Sequence, residues 1–94
     1  MTSYEFEKAA KRAVVYFMKE RHCLNVAFEN LQLVWFGHVL GNKKCLLYAP
    51  ELEGWYLEVT YNVNTMEFYV DAYRKVSNNR ITCEAISCLQ PDKE

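Results

Sequence analysis

The 94-residue chain has three glycines, two prolines and almost no net charge, eleven Lys and Arg standing against twelve Asp and Glu. The glycines, Gly37, Gly41 and Gly54, form neither a G-x-G-x-x-G nor a G-x-x-x-x-G-K pattern, so no loop is built to cradle a phosphate. Neither G-x-S-x-G nor H-E-x-x-H occurs, which removes the nucleophile elbow and the helical zinc-protease motif. A net charge of -1 disfavours a nucleic-acid module, which carries a clear positive excess, and equally an acidic mimic of DNA. No stretch approaches the roughly 18 consecutive apolar residues of a membrane-spanning helix. The first residues, Met1 to Lys8, mix acid, base and aromatic where a signal peptide needs an apolar core. The expectation is a cytosolic protein. There Cys23, Cys45, Cys83 and Cys88 are expected as reduced, partly buried thiols. No C-x-x-C pair exists, and the adjacent His22 and Cys23 have no second pair at matched spacing. Neither a metal nor a cofactor is expected.

What the chain does have is aromatic side chain: seven Tyr, five Phe and two Trp, or 15%. At this length they belong to one domain, residues 1–94, because a second self-supporting core has no room. Thr2 with Glu5 is a capping-box pattern, and Ser3 is an equally good cap. Phe6, Ala10, Ala13, Val14, Phe17 and Met18 then recur at three- and four-residue steps, which predicts an amphipathic helix over about 3–22. Lys8, Lys11, Arg12 and Lys19 form its solvated back, with Glu7 placed to pair with Lys11. Residues 26–29 read as a loop or irregular turn.

Strands are predicted at about 32–40, 43–49, 55–61 and 66–73, the first two joined through Gly41-Asn42. In the third, Trp55, Leu57, Val59 and Tyr61 alternate with Tyr56, Glu58 and Thr60. In the fourth, Met66, Phe68, Val70 and Ala72 alternate with Glu67, Tyr69, Asp71 and Tyr73. Pairing Tyr61 with Met66 puts both apolar sets on one side. Residues 80–89 fit a fifth strand or a short helix equally well, and 90–94 form a polar tail. The fold class is α+β: an N-terminal helix on a curved antiparallel sheet of four or five strands, in two layers. Its expected core sets Phe6, Ala10, Val14 and Phe17 against Trp55, Leu57, Val59, Phe68 and Val70.

One helix covers one face of a sheet. The other face collects Tyr56, Glu58, Tyr69, Asp71 and Tyr73, joined by Tyr48, Leu46 and either Val34 or Phe36. The first hairpin is apolar on both faces, so its register stays open. Tyrosines among a few carboxylates suit a protein interface, since Tyr buries a large area at low entropic cost and keeps a hydroxyl for hydrogen bonding. The expected partner-binding residues are therefore Tyr48, Tyr56, Glu58, Tyr69, Asp71 and Tyr73, and the partner is either a second copy, as a homodimer, or a foreign protein. The alternative is a small enzyme or ligand-binding cup in which Glu58 and Asp71 divide acid and base roles and His38 joins them. Base stacking on the tyrosines is disfavoured because Glu58, Glu67 and Asp71 repel a phosphate backbone.

Three segments carry a resemblance: residues 33–47 (Leu33-Val34-Trp35-Phe36 onward), Tyr56-Leu57-Glu58-Val59-Thr60-Tyr61-Asn62, and Tyr69-Val70-Asp71-Ala72-Tyr73-Arg74-Lys75. The chain resembles a family of small uncharacterised proteins of tailed phages and prophages of Gram-positive bacteria, with Y-x-E-V-T-Y-N and Y-x-D-A-Y-K-K motifs. Val63 departs from the glycine of the family's turn. The resemblance implies no catalytic role. It implies a phage or prophage accessory protein in the host bacterial cytoplasm that binds a host protein, for example as an inhibitor of a CRISPR effector.

Overall fold

A computed structural model of the chain describes residues 1–89; the tail expected at 90–94 lies outside them. Helix α1 spans Ser3–His22 and is followed by four strands, β1 (Gln32–Val39), β2 (Asn42–Tyr48), β3 (Trp55–Asn62) and β4 (Glu67–Arg74), then a short helix α2 (Cys83–Ser87). The strands form one antiparallel sheet in the order β1-β2-β3-β4, with α1 packed on one face. This is the expected α+β arrangement. Residues 80–89 resolve as the helical option, its start fixed by Thr82, whose Oγ1 accepts the Ala85 N–H at 3.1 Å.

Helix α1 begins at the capping box. The Glu5 N–H donates to Thr2 Oγ1 at 3.1 Å, and the Thr2 N–H donates back to the Glu5 carboxylate at 2.7 Å. That bond from the Thr2 backbone holds the Glu5 carboxyl below its ordinary range. Glu7 pairs with Lys11 at 3.0 Å on the half-exposed flank. The helix ends where Cys23 turns left-handed at φ 54°, letting the Leu24 N–H reach the Met18 carbonyl at 3.0 Å. The connector that follows packs Val26 and Leu31 into the core around a 3-10 turn at Phe28–Asn30. Glu51 pins it, accepting from the Ala27 N–H at 3.1 Å and Asn30 Nδ2 at 2.8 Å.

The buried layer is Phe6, Ala10, Val14 and Met18 of the helix against Cys45, Leu47, Ala49, Leu57 and Val59, with Leu52 closing it from the β2–β3 connection. This differs from the expected core in two ways. Met18 takes the fully buried place on α1, and Phe17, Trp55, Phe68 and Val70 sit half-buried at its margin. Strand β2, rather than β4, supplies the centre of the sheet side, because it and β3 are the two inner strands. Burial pushes the Cys45 thiol up to about 12, with the nearby Glu7 adding to the shift, so it stays protonated and unreactive in the fold.

Register explains the remaining differences. Tyr61 pairs with Phe68, not Met66, two residues from the expected pairing. A shift of two preserves every face, since strand side chains repeat with period two. Met66 lies in the turn at φ 58°, and its N–H bonds the Asn62 carbonyl at 2.7 Å. The Asn62 side chain accepts from the Asn64 and Thr65 N–H groups at 2.9 and 3.3 Å and so organises the turn. In β1, Val34 is an extra residue: Leu33 pairs with Leu47, while Trp35 pairs with Leu46. This bulge switches the facing of the strand part-way along it.

The first hairpin turns at Leu40-Gly41, one residue earlier than expected, with Val39 paired to Asn42. Both turn residues have positive φ, 53° at Leu40 and 83° at Gly41, the geometry that favours Asn-Gly. Leu40 is 97% exposed, so its side chain gains little packing to offset a left-handed conformation that costs a non-glycine residue roughly 1–2 kcal/mol. Leu40→Asn is therefore expected to raise stability by about 1 kcal/mol in urea unfolding; a lower denaturation midpoint would contradict this turn geometry.

Candidate partner-binding face

The face of the sheet away from α1 is built in cross-strand rows. One row sets Tyr56 opposite Tyr73, with Tyr48 beside Tyr56 on the adjoining strand, the Tyr48 and Tyr56 rings 6.0 Å apart. The next runs Trp35, Leu46, Glu58, Asp71, each paired to its neighbour. A third runs Gly37, Lys44, Thr60, Tyr69. All six expected residues, Tyr48, Tyr56, Glu58, Tyr69, Asp71 and Tyr73, thus share one surface. Glu58 and Asp71 are directly opposite each other, closer than the diagonal placement first expected.

Two residues of this face come from the bulge. Val34 and Trp35 both turn outward because the extra residue absorbs one step of the alternation. Of the two candidates from this hairpin, Val34 is on the face. Phe36 is not: it packs under the helix with its ring 5.6 Å from Phe6. Trp35 is the residue that alternation alone misses, since a bulge has no signature in the pattern of apolar residues. Its indole lies along the strand over Gly37, where an added Cβ would stand 3.4 Å from the ring. That is an ordinary van der Waals distance, so the place of the indole over residue 37 does not depend on glycine.

Polar contacts hold the tyrosines in place. Glu58 Oε1 accepts from Lys44 Nζ and from the Tyr73 hydroxyl, both at 3.4 Å. The Tyr69 hydroxyl donates to Glu67 at 2.9 Å. The Glu58 charge raises the Tyr73 pKa, and the bond to Glu67 raises that of Tyr69, so both hydroxyls stay protonated donors across neutral pH. At one corner Val34, Tyr48, Glu53, Gly54, Tyr56 and Lys75 line an open cleft of about 310 Å³, wide enough to seat a partner's side chain. A second groove of about 410 Å³ runs between α1 and β4 past Tyr16, Phe17, Arg21 and Phe68.

His38 is elsewhere. It pairs with Lys43, whose Nζ is 3.3 Å from its Nε2, and Lys43 pairs in turn with Tyr61 on the helix side of the sheet. The catalytic grouping of Glu58, Asp71 and His38 does not assemble, because three steps along β2 separate Lys43 from the Leu46 that faces Glu58, and three steps reverse the face. His22, the other histidine, packs its ring against Phe17 and Trp55 at 5.4 and 5.0 Å.

Among known families, the model of one of unknown function, DUF6275, matches residues 7–83. The chain belongs to that family. The match runs from the second turn of α1 through β4 to the first residue of α2, so it takes in the whole outer face and the linker that leads to α2. No curated protein and no solved structure matches the chain. Among the described residues, no helix is long and apolar enough to cross a membrane.

Proposed function

We propose that the chain is a non-enzymatic binding module that engages a protein partner through the outer face of its sheet. The observation that carries this is the uncovered aromatic surface formed by Trp35 and the Tyr48–Tyr56–Tyr73 row. Tyr56, Tyr73 and Trp35 are each about half exposed on ordered strands, the state in which an aromatic side chain loses little further entropy on docking. The carboxylates between them give the surface polar specificity. A general acid–base site is less well supported, since Glu58 is already engaged by Lys44 and Tyr73 and His38 faces the other way.

The resemblance to phage and prophage proteins supports a bacterial host protein as the partner and the host cytoplasm as its place of action. Inhibition of a defence nuclease such as a CRISPR effector is the activity to assay. The binding test replaces Tyr56 and Tyr69 together by alanine. Complex formation is expected to fall while the circular dichroism spectrum stays native, and Lys8→Ala with Arg12→Ala on the back of α1 is expected to leave it intact. Undiminished complex formation by the tyrosine variant would refute the proposal.

A further inference from the structure

Residues 76–89 leave the body beyond the end of β4, and all of them are exposed. The Lys75 N–H still donates to the Gly54 carbonyl at 2.7 Å, extending the sheet by one bond. Beyond it Val76 is 97% exposed, and Ile81, Ile86 and Leu89 are exposed as well. Helix α2 is capped, yet every one of its residues is open to solvent. The Cα radius of gyration is 17.1 Å, where a compact chain of this length has about 12 Å. The chain therefore carries two uncovered apolar surfaces, this arm and the outer face, and neither covers the other within one molecule.

The arm's charge is complementary to the face at Arg80. The arm's single base is Arg80, with the acid Glu84 four residues on, whereas the face bears Glu53, Glu58, Glu67 and Asp71 against Lys44 and Lys75, an excess of two acids. Among the described residues neither Arg80 nor Asp71 has an ion-pair partner. The stretch from Lys75 to Thr82 spans at most about 28 Å when extended, enough to cross a neighbouring four-stranded sheet about 15 Å wide.

We propose that residues 76–89 form an exchange arm: the arm of a second copy lies across the outer face, reciprocally, and closes a two-fold dimer. The inference rests on reading the outer face as a docking surface. Two-fold symmetry makes the contact twice, and face plus arm supply the roughly 20–30 residues per side that a stable interface uses. Ile81, Ile86 and Leu89 cover aromatic surface on the second copy, and Arg80 meets its acidic row. A foreign partner that takes the same face must displace the arm, so dimer and complex are alternatives.

Sedimentation of the full-length chain over a dilution series tests this. The wild type is expected to be a dimer that dissociates on dilution. Arg80→Asp and Asp71→Arg are each expected to weaken it about tenfold or more, and the double variant to recover most of the loss. Ile86→Asp should weaken it too, with the fold unharmed because α2 packs on nothing of its own molecule. Cys83 and Cys88 report independently: their alkylation should slow as the wild type dimerises. A monomer at every concentration overturns the proposal, as does a dimer indifferent to both charge reversals. A monomer that still loses a host protein through the Tyr56 and Tyr69 substitutions overturns the arm exchange and leaves the outer-face reading standing.

Discussion

Phe6→Ala is expected to destabilise the protein by about 3–5 kcal/mol, the usual cost of removing a fully buried Phe. Phe6 has no exposed surface; its ring packs 5.6 Å from Phe36 and 6.3 Å from Phe68, joining α1 to both edge strands. Alanine there leaves a void where the two layers meet, and so small a sheet cannot collapse around it without drawing Val14 and Met18 of α1 out of the buried layer. A domain of this length has a total stability of roughly 5–14 kcal/mol, so the variant is expected near the edge of folding. Urea unfolding measures the loss. Phe17→Ala is the comparison: Phe17 is only half-buried at the margin of the core, so its truncation is expected to cost clearly less. Equal losses would contradict the buried layer described above.

Trp35→Ala is expected to act on binding in the way Phe6→Ala acts on folding. Trp35 stands at the β1 end of the row that runs to Asp71, with Val34 and the cleft beside Tyr56 next to it. Large aromatic side chains in such places contribute most to interface energy, at about 2 kcal/mol or more each, or some 30-fold in affinity. The buried layer is untouched by the change, so the loss of stability should stay below that of Phe6→Ala. The two tryptophans lie on opposite faces, Trp35 outward and Trp55 against His22 and Arg74. Fluorescence of a Trp55→Phe variant therefore isolates Trp35, and its emission is expected to shift to the blue on complex formation. An unchanged affinity for Trp35→Ala would place the interface elsewhere.

The fold was legible from the chain wherever a single period ran unbroken. Alternation in β3 and β4 assigned every face correctly except that of Met66, which lies exposed in the turn, even though the pairing was off by two, because an even shift leaves the pleat in phase. The helix was legible from its stripe and its capping box. Its exact buried edge was not, since Phe17 and Met18 are one residue, or about 100° around the helix, apart, and only the tilt against the sheet selects Met18. The first hairpin failed for a different reason. Val34 interrupts the alternation, and an extra residue in a strand that is apolar on both faces leaves no trace in composition. That interruption hid Trp35, the largest aromatic side chain of the candidate face, and made Phe36 look like an outer residue. It also made His38 look available to Glu58 and Asp71. Residues 80–89 were ambiguous because periodicity records burial, and no face of α2 is buried.

If the outer sheet face is where this protein binds, its aromatic side chains lose solvent exposure in the complex. Hydroxyl-radical footprinting, which reads the solvent exposure of individual aromatic side chains, tests it most directly by comparing the dissociated chain with its complex. Trp35, Tyr48, Tyr56 and Tyr73 are expected to become protected together. Tyr4 and Tyr16, about 70% exposed on the back of α1, serve as internal references and are expected to stay unchanged. Protection of Tyr4 and Tyr16 with the outer tyrosines still reactive would contradict the claim.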